Sequence, residues 1–98
     1  MRSFANRALL QLSITYFGQA REFAGGAREF LALAEGATLE DALRLAAGQH
    51  GPKLAQLLFD AAGSLRRNVL LVLNGAHAQG GALRDGDALT ILPSISGG

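Results

Sequence analysis

Leu10-Gln11-Leu12-Ser13-Ile14-Thr15-Tyr16-Phe17 alternates apolar and polar side chains almost without fault. Leu10, Leu12, Ile14 and Tyr16 share one face and Gln11, Ser13 and Thr15 the other, which is the pattern of a strand with one buried side. Phe17 breaks the phase. It falls on the polar face, so either a bend turns it inward or it stands exposed for a partner. Ahead of this strand, Arg2, Asn6 and Arg7 interrupt any period, and residues 1–9 read as a loose leader.

Downstream, Gly18 and Gly25-Gly26 punctuate a loop holding Gln19, Ala20, Arg21 and Glu22, and Ala27 to Leu33 reads as a second strand. Thr38 with Asp41 three positions on is a helix N-cap signature. Leu39, Ala42, Leu43 and Ala46 follow at helical spacing, Glu40 and Arg44 form an i, i+4 pair on the outer face, and Gly48 and Gly51 mark the end. Pro52 suits the first turn of a short second helix, with Leu54, Leu57, Leu58 and Ala61 on one face and Gly63 as its stop. Val and Leu dominate Asn68 to Leu73, expected as a central strand, and Asn74-Gly75 is a two-residue hairpin turn leading into a short strand from Ala76 to Gln79. Gly80-Gly81 opens a loop, and Asp85-Gly86-Asp87 turns the chain into a last strand, Ala88 to Leu92. Strand, strand, helix, strand, strand, strand in one small domain predicts an α+β architecture of β-grasp (ubiquitin-like) order. A mixed sheet of four to five strands would pack on one main helix and a short second one, over residues 10–93.

Composition narrows the function. The chain has 98 residues, 49% of them hydrophobic and 17% charged, which is enough for one core and leaves little room for a deep catalytic cavity. Nine basic residues against eight acidic ones give a net charge of +1, with no basic block to follow a row of phosphates, so nucleic acid is not expected as a partner. There is no cysteine, which excludes disulfides, thiolate metal sites and cysteine nucleophiles. Apolar runs such as Val69 to Leu73 fall far short of the ~20 residues that span a bilayer, and Met1 to Arg7 lacks the apolar core of a signal sequence. No membrane association and a cytoplasmic location are expected. His50 and His77 stand without a second ligand or base at a recognisable spacing and read as surface residues. Gly25-Gly26 and Gly80-Gly81 lack the residues of a phosphate loop and read as turns, and Arg66-Arg67 reads as a solvated pair.

After Pro93 the chain continues Ser94-Ile95-Ser96-Gly97-Gly98, a small-residue tail over 94–98 read as flexible. Two segments here resemble the MoaD/ThiS family of ubiquitin-like sulfur carriers, and most closely its molybdopterin synthase small-subunit branch. One is Tyr16-Phe17-Gly18-Gln19-Ala20-Arg21-Glu22, similar to an aromatic-rich segment ending in Arg-Glu. The other is Asp85-Gly86-Asp87-Ala88-Leu89-Thr90-Ile91-Leu92-Pro93-Ser94-Ile95-Ser96-Gly97-Gly98, similar to the family's acidic turn, last strand, proline and terminal Gly-Gly. The Thr-Ile-Leu-Pro strand end also resembles carriers that serve cysteine biosynthesis.

The resemblance implies a chain that is not an enzyme by itself. Its terminal Gly98 would be adenylated by a ubiquitin-activating-like enzyme that uses ATP, and converted to a thiocarboxylate with sulfur traced to a cysteine desulfurase or rhodanese-like donor. The molybdopterin synthase large subunit would then take the sulfur for molybdenum-cofactor synthesis, while this chain binds no cofactor or metal. Physical chemistry fits that tail. A carboxylate is a poor electrophile until activated in a closed pocket, and residues without Cβ, such as Gly97 and Gly98, can enter a narrow channel in extended form. A chain without cysteine would carry its sulfur on the main chain. Strand phase sets Phe17 and Leu92 opposite the core residues of their strands, and with Arg21, Pro93, Ile95 and Ser96 they are the candidate partner-binding residues beside Gly97 and Gly98. Carriers for thiazole, cysteine or thiolated RNA, a ubiquitin-like modifier conjugating through Gly98, and a binding module with an idle terminus remain open at this point.

Overall fold

The alternating segment forms β1 (Leu9–Tyr16), in which Leu10, Leu12, Ile14 and Tyr16 are buried. The computed structural model describes residues 9–93. After β1 come α1 (Gly18–Ala24), β2 (Arg28–Ala34), α2 (Leu39–His50), α3 (Pro52–Leu58), β3 (Val69–Leu73), β4 (Ala76–Ala78) and β5 (Ala88–Pro93). The sheet order is β2-β1-β5-β3-β4. β1 runs antiparallel to β2 and parallel to β5, and β3 runs antiparallel to both of its neighbours. This is the mixed α+β sheet expected from the sequence, with the first and last strands side by side near its middle.

One face of the sheet is packed by the helices. Leu39, Ala42, Leu43, Ala46 and Ala47 of α2 and Leu54 and Leu58 of α3 form one cluster with Leu12, Ile14, Leu31, Leu71, Leu89 and Ile91. Each fully buried leucine or isoleucine contributes about 1.5–3 kcal/mol through removal of apolar surface from water. The Thr38 capping box is complete: Asp41 N–H donates to Thr38 Oγ1 at 3.2 Å and Thr38 N–H donates to Asp41 Oδ2 at 2.9 Å. Arg44 makes the expected 2.6 Å pair with Glu40. It also donates to the Gly63 carbonyl at 2.6 Å and lies 4.5 Å over the Phe59 ring, which ties α2 to the segment after α3.

Several boundaries differ from the sequence expectation. Gln19 to Glu22 belong to α1 rather than a loop. Seven residues burying only Ala20 show no apolar period, yet the helix is closed at its C-terminus by Gly26 N–H to Arg21 O (3.2 Å) and Gly25 N–H to Glu22 O (3.3 Å), the Schellman pattern. Gly18 turns the chain from β1 into this helix at φ 58°, a left-handed conformation that disfavours a Cβ. Gly48 is carried inside α2, which ends at His50 with Gly51 as its cap. The second mid-chain helix stops at Leu58, short of Ala61, because Asp60 Oδ1 accepts the N–H groups of Ala62 (3.0 Å) and Ser64 (2.9 Å) and holds a turn. Leu9 pairs with Ala34, so β1 begins one residue inside the segment expected as leader. No helix among the described residues is long and apolar enough to cross a membrane.

Candidate functional site

Asp85-Gly86-Asp87 and Asn74-Gly75 lie together at the start of β5. Asn74 (φ 52°) and Gly75 (φ 83°) both take positive φ, as a type I′ hairpin requires. Asn74 Nδ2 donates to Asp87 Oδ1 at 2.8 Å, Arg84 N–H donates to Asp87 Oδ2 at 2.8 Å, and Ala88 N–H donates to Asn74 Oδ1 at 2.9 Å. Asp85 Oδ1 accepts the Gln11 N–H at 2.8 Å. Asp87 is buried, and these donors, led by the Arg84 N–H, hold its carboxyl below the usual carboxylate range. The acidic turn is therefore a clasp joining β5, β1 and the β3–β4 hairpin.

The other end of β5 is built differently. Tyr16 pairs with Ile91, and both are buried, so the residue after each, Phe17 in extended conformation just past β1 and Leu92 on β5, falls on the face away from the helices. Leu92 pairs in turn with Leu70. Phe17 is 48% exposed and Leu70 43%, with Leu92 half-buried between them. Phe17 N–H donates to Ile91 O at 3.1 Å, which fixes the aromatic residue against β5. Pro93, paired with Val69, closes the strand, and a Cβ on Gly18 would sit 3.6 Å from its Cγ. Behind this row, Thr15, Thr90 and Val72 align across three strands, and Phe30 (62% exposed) pairs with Ser13. Arg28 is the only charged strand residue on that face among the described residues.

Of the residues singled out from the sequence, Phe17, Leu92 and Pro93 are thus brought together at one end of the open sheet face. Arg21 is not part of that face. It lies exposed in the last turn of α1, and neither it nor Glu22 makes an ion pair among the described residues. Ile95, Ser96, Gly97 and Gly98 lie outside the described residues. Leu70 and Phe30 were missed. The run Val69-Leu70-Leu71-Val72-Leu73 is the central strand expected from the sequence, with strand neighbours on both edges, but the helices cover one of its faces only. Periodicity shows nothing within such a run. His50 is also more than a surface residue: its Nε2 lies 2.8 Å from Glu29 Oε2, and the same carboxylate accepts the Tyr16 hydroxyl. Burial, then that carboxylate, push the Tyr16 hydroxyl far up, so it remains a donor. No group of three or more potential metal ligands exists among the described residues.

The model of the ThiS family matches residues 14–98. The chain belongs to the ThiS family. The matched span of this ThiS-family chain contains both ends of β5 and the Gly-Gly terminus. The molybdopterin synthase sulfur carrier subunit of Chlamydomonas reinhardtii is 30% identical over 92 residues, covering 91% of this chain and 100% of that protein. The crystal structure of SAMP1 from Haloferax volcanii superposes with a TM-score of 0.82 at 31% identity, covering 90% of this chain and 99% of that one. The Amycolatopsis orientalis BexX/CysO complex contains a chain with a TM-score of 0.64 and 25% identity, covering 89% of this chain and 99% of that one. The fold expected from the sequence and the sulfur-carrier or ubiquitin-like modifier class both follow from these relations.

Proposed function

We propose that this chain is the sulfur-carrier subunit of a molybdopterin synthase, with the Gly98 carboxyl as the sulfur-bearing group. A Gly98 carboxylate oxygen attacks the α-phosphorus of ATP on an activating enzyme and pyrophosphate leaves. The terminal sulfur of a cysteine persulfide on a desulfurase or rhodanese-like donor then displaces AMP to give an acyl disulfide. A thiol reductant attacks the donor's sulfur of that S–S bond, leaving the Gly98 thiocarboxylate and a disulfide on the donor. The larger subunit supplies the pocket and the acid and base groups, and this chain supplies the sulfur, so it is not an enzyme by itself and binds no cofactor. The observation carrying the molybdopterin reading is the match to a molybdopterin synthase sulfur carrier subunit over that protein's whole length. The open face gives the reading its docking surface. An apolar patch of Phe17, Leu92 and Leu70 beside Pro93 would orient the tail on whichever enzyme receives it.

Reconstitution tests the recipient. The thiocarboxylated chain, a molybdopterin synthase large subunit and the cyclic pyranopterin precursor should yield dithiolene product, one carrier being consumed per sulfur. Absence of product, with sulfur instead passed to a cysteine- or thiazole-forming enzyme, would overturn the assignment. The likeness to SAMP1, the small archaeal modifier protein 1 of Haloferax volcanii, favours a second reading in which Gly98 forms isopeptide bonds. Conjugates bearing Gly98 on lysines of other proteins would be its signature.

A further inference from the structure

Arg66 and Arg67, which read as a solvated pair in the sequence, form one wall of a cleft. This cleft, about 450 Å³, runs between them and the β4 edge at His77 and Gln79, over a floor of Leu65, Val69 and Leu71. A second cleft of about 590 Å³ shares Leu65, Arg66 and Arg67 and continues toward Asp60 and Ser64, so the two make an elongated trough. The wall is rigid. Arg66 N–H donates to Leu58 O at 2.8 Å, Arg66 Nε donates to Gln56 O at 2.7 Å, and Phe59 and Leu65 form an isolated bridge. Arg67 is exposed and its guanidinium has no hydrogen-bond or ion-pair partner among the described residues. Among the described residues Asp60 is the only acid lining either cleft, and its Oδ1 accepts from the Ala62 and Ser64 N–H groups. On the opposite wall, among the described residues, β4 pairs with β3 alone, so its outer backbone N–H and C=O groups have no strand partner there.

We infer that this trough is a second docking site, which takes an acidic, extended segment of a partner protein. Its carboxylates would meet Arg67 and the free end of Arg66, an alternating apolar side chain would cover Leu65, and its backbone would extend the sheet at β4. A small free anion would satisfy the arginines but leave the apolar floor and the strand edge unmet. The trough lies by the tail base, since Val69, two residues after Arg67, pairs with Pro93. A partner seated there is held next to Pro93 without using the open sheet face. This inference does not depend on what Gly98 carries.

The test is an amide chemical-shift titration of the whole chain with a synthetic heptapeptide alternating acidic residues and leucine. The same peptide with amides in place of its carboxylates, and inorganic pyrophosphate, serve as parallel arms. Shifts are expected at residues 65–69 and 76–79, with affinity at least about tenfold weaker for the amide peptide, for Arg67→Glu and in high salt. Arg67→Gln, a milder change, should fall between wild type and Arg67→Glu. Shifts spread over the surface or absent, an Arg67→Glu titration equal to wild type, or pyrophosphate giving the same shifts as tightly as the peptide would each overturn the docking site.

Discussion

The two ends of β5 carry opposite chemistry. At Ala88 the polar groups are matched to one another: Asp87 accepts from Asn74 and the Arg84 N–H, Asn74 accepts from the Ala88 N–H, and Asp85 accepts from the Gln11 N–H. At Pro93 the surface is apolar and unmatched, with Phe17 and Leu70 open to solvent. One six-residue strand thus links a hydrogen-bonded region to an exposed apolar one. The difference divides a terminal motif read as a single family signature into a hydrogen-bonded half, Asp85 to Ile91, and an apolar half beginning at Leu92, which we propose as the docking half.

Removing Gly98 should produce the largest effect at the docking half. Thiocarboxylate formation should be abolished with thermal stability unchanged, measured by intact mass and by melting; a melting change would link the tail to the fold and erase the division. Next, Phe17→Asp with Leu70→Asp should weaken binding to the activating enzyme or the larger subunit by about 30- to 100-fold, the size expected for two central apolar anchors. Calorimetric titration would read it, and a melting temperature within a few degrees of wild type would keep the effect at the surface.

The clasp should respond in the reverse manner. Asp87→Ala leaves Asn74 Nδ2 and the Arg84 N–H without their acceptor and should cost about 2 kcal/mol of stability in chemical denaturation, with partner binding unaltered in the folded protein. A smaller effect follows in acid. The Asp87 carboxyl titrates lower in the folded chain than in the unfolded one, so the unfolded state takes up the proton first. Its stabilisation is fully present above the ordinary carboxylate range of about pH 4 and is lost as the pH falls through the lowered folded value. Asp87→Asn should therefore flatten the acid limb of the stability profile; an unchanged limb would mean that other carboxylates govern it.

Much of this was legible from residue order. Strict alternation from Leu10 to Tyr16, the Thr38–Asp41 box and Asn74-Gly75 each name a local geometry that tertiary packing has no reason to override. Phase alone also put Phe17 and Leu92 on the outer face. What escaped were features without a local period. α1 buries one alanine and so has no stripe to detect, and Leu70 sits in an unbroken apolar run whose open side is decided by where the helices pack. Glu29, His50 and Tyr16 meet across separations of 13 and 21 residues, with no spacing to announce them. The division of Asp85–Gly98 into two halves needed the hydrogen bonds of Asp87, since aspartate in a turn reads the same whether or not it is clasped.

Intact mass bears most directly on the sulfur-carrier claim. The chain, untagged at Gly98, is incubated with its activating enzyme, ATP and a sulfur source, then weighed and tested with thiol-selective reagents. A population heavier by one oxygen-to-sulfur exchange, and reactive although the sequence has no cysteine, is the expected result. A wholly unmodified mass under conditions in which the same enzyme converts a known carrier would contradict it.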